Sequence, residues 1–294
     1  MVKIMKVKKA IIPCAGFGTR FLPATKVVPK ELFPIVDTPA LSYIVAEAAK
    51  SGIEEVFIII SPQKEDVKRL FQPNEALNAQ LESVGKTLEL ELANKDYGVK
   101  IHFGVQEKMN GNGMALMVAK DFVGEEPFAV LFGDDVMYTG DGAPVTKQLI
   151  DAYERTGEKT IVGCQCPPEE IARRCGVMVI GNSVDDKITE VRGIIEKPKA
   201  ELPSKLVSLG RYILTHDIFD ALLKAPVKNG ETYLTDAISL LAKEPNNVYA
   251  CEFSARRYDI GNKQGFLEAA IEYSLRREEL RDGVKAYLKS LNLD

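Results

Sequence analysis

Apolar residues fall in short runs at 10–14, 56–60 and 128–132, and Ile101 to Val105, interrupted by His102 and Gly104, also reads as a strand, with polar or glycine-rich stretches between them. The run at 10–14 lacks the alternation of a half-exposed strand and reads as buried on both faces of a parallel sheet, and 56–60 reads as the next buried strand. Helical periodicity lies between them. Thr38-Pro39 reads as an N-cap with proline at the first helical position, opening a helix to about residue 50. Ser61-Pro62 repeats the device for a helix through about residue 71. Between 74 and 92, Leu77, Leu81, Val84, Leu88 and Leu92 recur at helical spacing and read as local packing. The run Asn110-Gly111-Asn112-Gly113-Met114-Ala115 is expected to enter a helix through about Lys120. The second half is more mixed, with strands predicted at 159–166, 176–180, 188–195, 206–214 and 247–253. Helices are expected there at 217–223, 234–242 and 263–281, and an apolar tail at 286–291 is expected to pack on a neighbouring subunit. Alternating strands and helices predict an α/β fold whose parallel sheet is covered by helices. With no internal repeat or low-complexity linker, 1–294 reads as one composite domain: 6–135, 136–260 and a helical end at 261–294.

Composition narrows the function classes. A chain of 294 residues, 46% apolar and 27% charged, buries a large core. The net charge of −4 argues against nonspecific nucleic-acid binding, so any anion site is a local cluster of cations. No apolar run approaches the ~20 residues of a membrane span. The start, Met1 to Lys6, has no signal-peptide core after it, which makes the cytoplasm the expected location. Five cysteines, an odd number, argue against a disulfide framework. Cys164, Cys166 and Cys175 read as reduced thiols in or near a core, not as a metal site. His102 and His216 have no partner nucleophile in sequence, which disfavours histidine-centred nucleophilic catalysis.

The informative stretch follows the first strand. Gly16 and Gly18 permit close backbone approach to a ligand, and Arg20, Lys26 and Lys30 supply cations within a dozen residues. Free amides followed by cations suit a polyphosphate. The dinucleotide fingerprint is excluded because Pro23 opposes a helix where one is needed; the Walker A loop is excluded because Thr19-Arg20 follows Gly18. Gly16, Gln106 and Asp134 each fall at the carboxyl end of a predicted strand, where open α/β sheets collect ligands.

The run Gly16-Phe17-Gly18-Thr19-Arg20-Phe21-Leu22-Pro23-Ala24-Thr25, followed by Pro29-Lys30-Glu31, resembles the sugar-nucleotide pyrophosphorylases. Its wording is similar to that of the bacterial uridylyltransferases acting on glucose 1-phosphate, and the resemblance extends to about Lys263. It implies a Rossmann-like mixed, mostly parallel sheet flanked by helices, of the nucleotide-diphospho-sugar transferase type. It also implies transfer of UMP from UTP to glucose 1-phosphate, giving UDP-glucose and pyrophosphate by direct in-line displacement. A thymidylyl- or cytidylyltransferase on the same scaffold, or a non-catalytic paralogue that binds nucleotide sugar, are the alternatives. A homodimer or homotetramer is expected by the same analogy.

The chemistry explains the residue types. Two unit charges ~4 Å apart repel by roughly 4 kcal/mol at an effective dielectric of about 20, so two phosphorylated reactants need fixed cations and a divalent metal, Mg²⁺. The resemblance assigns Arg20 to the departing pyrophosphate and Lys30 to the triphosphate or sugar phosphate, leaving Lys26 without a settled role. It assigns Asp134 and Asp236 to the metal, as carboxylate oxygens suit Mg²⁺, with Asp135 a supporting or chain-turning neighbour. Ala15, Gly16 and Gly18 offer backbone to the nucleotide, while Glu31, Gln106 and Gly111 match positions that read the uracil edge. Glu196 and Lys197, in Glu-Lys-Pro, and Gly176, in Cys-Gly-Val, match the sugar-phosphate positions. Cys175 stands where the family has tyrosine and Met114 where it more often has histidine.

Overall fold

The computed structural model describes residues 5–291. The reading of Met1 to Lys6 as free of an export signal therefore lies largely outside the described residues. Nine strands form the central sheet: β1 (Lys9–Pro13), β2 (Glu55–Ile60), β3 (Lys100–Val105), β4 (Phe128–Leu131), β5 (Thr160–Gln165), β6 (Gly176–Ser183), β7 (Ile188–Glu196), β8 (Val207–Leu214) and β9 (Val248–Glu252). Their spatial order is β3-β2-β1-β4-β8-β5-β9-β7-β6. The pairings β3–β2, β2–β1, β1–β4 and β5–β9 are parallel, whereas β7 and β8 run against their neighbours. The sheet is mixed and mostly parallel.

Both faces are covered, which explains the unbroken apolar strands. Ala10, Ile12, Ile58 and Leu131 point into one core, under the helices Ala40–Lys50 and Val145–Arg155. Ile11, Ile59, Phe128 and Val130 point into the other, with Leu116, Phe219 and Ile238 from the helices Asn112–Leu116, Ile218–Lys224 and Leu234–Leu241.

Several local expectations are corrected. Thr38–Pro39 is a short strand paired with Pro34–Ile35, so the helix begins at Ala40 without a side-chain cap. After Ser61 only short turns form, at Pro62–Lys64 and Asp66–Arg69. The 74–92 segment is two helices, Glu75–Ser83 and Thr87–Ala93, separated at Gly85, whose φ is +70°. Neither buries a residue, and Leu88 and Leu92 are 73% and 74% exposed, so local packing of these leucines does not occur. The last helix breaks at Arg277 into Lys263–Arg276 and Glu278–Ser290. Elements without an expectation in the sequence include the helices Val145–Arg155 and Glu169–Ala172, the hairpin Val227–Lys228 with Glu231–Thr232, and the pairing of Asp135–Tyr138 with Arg256–Asp259.

One buried ion pair ties these parts together. Arg211 of β8, 1% exposed, donates from Nε and Nη2 to the two Glu47 carboxylate oxygens at 3.0 and 2.7 Å. Thr146 adds its amide and hydroxyl to Glu47 at 3.1 and 2.7 Å, and Arg211 also reaches the Asp135 carbonyl at 2.7 Å. Removing one member leaves a charge without compensation in the core. Arg211→Met is expected to cost about 3–5 kcal/mol, read as a lower urea midpoint; a loss below about 1 kcal/mol would show that Glu47 finds other partners.

Candidate active site

The chain runs from β1 outward to β2 and β3, then returns to place β4 on the other side of β1. Such a switch point opens a crevice at the carboxyl ends of the two flanking strands. Here the strand ends crowd together: a Cβ on Gly133 would lie 2.5 Å from the Cys14 sulfur. A cavity of about 410 Å³ opens at this place. Ala15, Gly16, Gly18 and Gln106 line it from the strand ends and glycine loop. Lys30, Glu31, Gly111 and Asp134 line it too, with Glu231 and Tyr233 from a distant hairpin.

Gly18 has φ +66° and its carbonyl accepts from the Thr25 hydroxyl at 2.9 Å, which folds the loop back on itself. Gly16 has no atom within 4 Å of where a Cβ would stand, leaving its backbone open to the cavity. Gln106 donates to the Asn110 side chain at 3.1 Å and the Gly111 carbonyl at 3.2 Å. At Gly111 φ is +108°, and a Cβ would fall 2.4 Å from the Thr232 carbonyl oxygen. No side chain fits there.

The Lys30 ammonium contacts Asp134 Oδ2 at 2.5 Å. Burial works against the Lys30 charge, yet the Asp134 and Glu31 carboxylates outweigh it and hold its pKa above the ordinary lysine value. Burial likewise pushes Asp134 up, but Lys30 and then Arg257 hold that carboxyl below its usual range. Glu31 is 1% exposed and both its oxygens accept from Lys64, at 2.9 and 2.8 Å, while Lys64 also donates to the Cys14 carbonyl at 2.7 Å. Lys64 was missed in the sequence, where it reads as an ordinary helix cation.

Asp236, expected to share the metal with Asp134, is held by another partner. It lies in the first turn of the helix Leu234–Leu241, where Lys228 donates to its Oδ1 at 2.7 Å, and it is absent from the cavity lining. The acid brought beside Asp134 is Asp259, which pairs opposite Asp135 across the Asp135–Tyr138 and Arg256–Asp259 strands. A Cβ on Gly261 would lie 2.7 Å from Asp134 Oδ2 and 3.0 Å from Asp259 Oδ1, so both carboxylates flank one glycine. The Ile260 amide donates to the Asp134 carbonyl at 2.9 Å, which fixes the approach. The signal was present in Arg257-Tyr258-Asp259-Ile260-Gly261, but that segment reads only as support for the site until the pairing is known. Asp135 turns away: Arg257 contacts its Oδ1 at 2.5 Å, and burial, opposed by Arg257 and reinforced by Asp134 and Asp259, pushes its pKa up to about 6.

Arg20 is exposed and lies outside the cavity lining, its Nη1 donating to the Gly261 carbonyl at 3.3 Å, which sets it beside the two acids. Lys26 is exposed. The sugar-phosphate positions form a second cluster. Glu196 pairs with Gly176 between β7 and β6, and the Lys197 amide donates to the Cys175 carbonyl at 3.0 Å. The Lys197 ammonium, 60% exposed, stands 3.9 Å from Glu196 Oε1. Cys14, Cys164 and Cys251 are buried and Cys166 exposed, all as free thiols.

Known proteins give an independent comparison. The family model described as nucleotidyl transferase matches residues 9–275. A UTP–glucose-1-phosphate uridylyltransferase of Streptococcus pneumoniae is 44% identical over 290 residues, covering 97% of this chain and 96% of the relative. One of Staphylococcus epidermidis is 43% identical over 291 residues, covering 98% and 99%. Among solved structures, a UTP-bound UGPase from Acinetobacter baumannii superposes with a TM-score of 0.89 at 32% identity, covering 97% of this chain and 100% of that one. A UDP-glucose pyrophosphorylase complexed with UDP-glucose gives 0.81 at 34% identity, covering 92% and 100%.

The tight contact at Gly111 yields a direct check. Gly111→Ala forces a side chain into a backbone region costing about 1–3 kcal/mol and against Thr232. Faster hydrogen exchange at the Thr232 amide, which donates to the Asn110 carbonyl at 2.8 Å, is the expected readout. Unchanged exchange there would mean that the loop absorbs the methyl group elsewhere.

Proposed function

The chain belongs to the nucleotidyl transferase family, and we propose that it is a UTP–glucose-1-phosphate uridylyltransferase, forming UDP-glucose and pyrophosphate. The observation that carries the site reading is that Lys30 and Asp134 line one cavity with Gln106 and Gly111, while Arg20 and Asp259 gather with Asp134 around Gly261 just outside that lining.

An all-oxygen donor pair, Asp134 and Asp259 flanking Gly261, fits a hard cation, so these two residues would hold Mg²⁺. Bound there, Mg²⁺ would neutralise charge on the substrate phosphates. Arg20, held beside the same acids, stabilises the departing pyrophosphate. Lys30 presents its charge at the cavity wall to the phosphates. The attacking oxygen of glucose 1-phosphate is already ionised, so no general base is required and in-line approach is a matter of positioning and charge. Lys197 answers the sugar phosphate, and Glu196 beside Gly176 accepts from the sugar hydroxyls. Ala15, Gly16, Gly18, Gln106 and Gly111 bind the nucleotide, the Gln106 side-chain oxygen accepting from a pyrimidine N–H while its amide stays on Asn110 and Gly111. Glu31, engaged by Lys64, supports this wall. No side chain is uridylylated in this reading. His102 is paired with Glu55 at 2.8 Å, and neither it nor His216 lines the cavity, which supports direct transfer.

The cytoplasm is the location in this reading; no helix among the described residues is long and apolar enough to cross a membrane. Two or four copies per assembly remain part of the reading, supported by exposed Leu267, Tyr287 and Leu291 on the last two helices.

Initial rates with UTP, dTTP and CTP, following pyrophosphate, test the activity. UTP with glucose 1-phosphate is the expected pair; faster turnover with dTTP or CTP, or no pyrophosphate at all, would overturn it. For the metal acids, Asp134→Ala and Asp259→Asn should each lower kcat by about 10²–10³, as should Arg20→Ala. Asp236→Asn should stay within about ten-fold of wild type. EDTA should abolish turnover, with Mg²⁺ restoring it. Near-normal rates for Asp259→Asn beside a severe loss in Asp236→Asn would return the second ligand to Asp236.

A further inference from the structure

The segment 231–236 touches both halves of the site. Its strand Glu231–Thr232 lies against the nucleotide loop, the Thr232 amide donating to the Asn110 carbonyl at 2.8 Å. One step on, the Leu234 amide donates to Asn112 Oδ1 at 3.0 Å. Glu231 and Tyr233 face the cavity itself. The far end is fastened by the Lys228–Asp236 pair at 2.7 Å. Between these anchors Thr235, 9% exposed, donates its hydroxyl to Glu196 Oε2 at 3.1 Å. Its methyl carbon sits 3.2 Å from where a Cβ on Gly176 would stand.

Both branches of the threonine are therefore used. The hydroxyl anchors one Glu196 oxygen and leaves Oε1 as the only one turned toward Lys197, at 3.9 Å. The methyl closes the space behind Gly176. A carboxylate on a β-strand end has two free torsions beyond its Cβ, and one fixed oxygen removes most of that freedom before a ligand arrives.

We propose that Thr235 is the positioning residue for Glu196, aiming its free oxygen at the sugar, and that the 231–236 strap holds that aim in register with the nucleotide loop. The inference rests on the reading of Glu196 as the sugar acceptor. Thr235 touches neither phosphate nor reacting atoms, so its loss should act on sugar binding and leave the nucleotide alone.

The test is a set of steady-state constants for Thr235→Val, Thr235→Ser and Glu196→Gln, with melting curves confirming that each folds. Valine keeps the methyl and deletes the hydroxyl; serine does the reverse. Losing a hydrogen bond to a charged group should raise KM for glucose 1-phosphate about ten-fold in Thr235→Val. KM for UTP should stay within about two-fold, and Thr235→Ser should recover most of the sugar KM. A wild-type sugar KM in Thr235→Val, beside an impaired Glu196→Gln, would overturn the role of Thr235 and leave the sugar site standing. Equal rises in both KM values would overturn it as well, by showing general loosening. Wild-type sugar KM in all three variants would overturn the placing of the sugar at Glu196, and the proposal with it.

Discussion

The structure depends on a buried charge pair that the hydrophobic pattern alone would never demand. Arg211 and Glu47 sit in the core, and taking both out of water is repaid only if nearly every donor and acceptor is used. Here they are. Glu47 accepts from Arg211 and from Thr146, and the remaining Arg211 donors reach the carbonyls of Gly210 and Asp135. The consequence is positional. A helix from the first third, a helix from the middle and an antiparallel strand from the last third are held to one point, and that point is the carbonyl beside the candidate metal acid. The switch from parallel to antiparallel pairing at β8 is thus made where the site needs a rigid floor.

A second constraint follows from charge. Asp134, Asp135 and Asp259 crowd into one place and would repel one another without counter-charges. Lys30 answers Asp134 and Arg257 answers Asp135, with Arg257 also 4.0 Å from Asp259. The pairing assigns different work to neighbouring aspartates. Asp135 is occupied by Arg257 and by the turn at Gly210, where a Cβ would fall 2.1 Å from its Oδ2. The Asp134 and Asp259 side chains are 32% and 35% exposed, against 6% for Asp135. Adjacent residues of the same type therefore serve opposite ends, one in the scaffold and one in the chemistry.

How much of this was legible in the sequence follows from the range of each interaction. The strands β1, β2 and β4 could be read because burial on two faces leaves apolar runs, and the glycine loop could be read because its residues are contiguous. The helix Val145–Arg155 was not read, since it follows a polar turn and its buried face is carried by residues such as Thr146 and Tyr153 beside charged ones. The expectation at Asp236 rests on the resemblance of Leu-Thr-Asp to the family's motif, whereas the Asp259 segment reads only as closing or supporting the site. The merit of Asp259 comes from a pairing across more than a hundred residues, Asp259 against Asp135, that no local pattern announces. Lys64 was invisible for the same reason, its partner Glu31 lying 33 positions away.

The two clusters stand on different strands, which raises the question of how a single reaction is served by both. The nucleotide cavity is built on strand ends of the parallel half, and Gly176, Glu196 and Lys197 stand at the end of the antiparallel ribbon β6–β7, which folds back so that Gly176 also pairs with Ser208 of β8, the neighbour of β4. The sheet therefore links the two clusters through β8, although register irregularities occur along β7 between Thr189 and Gly193. A second element adds to that alignment. The segment after Gly230 is suited to it: it leaves a tight turn at Asn229 and Gly230, both with positive φ, and enters a helix whose body is buried at Leu234, Ala237 and Ile238. Buried at its helical end and hydrogen-bonded to the nucleotide loop at its other, it is a second tie between surfaces that β8 already joins.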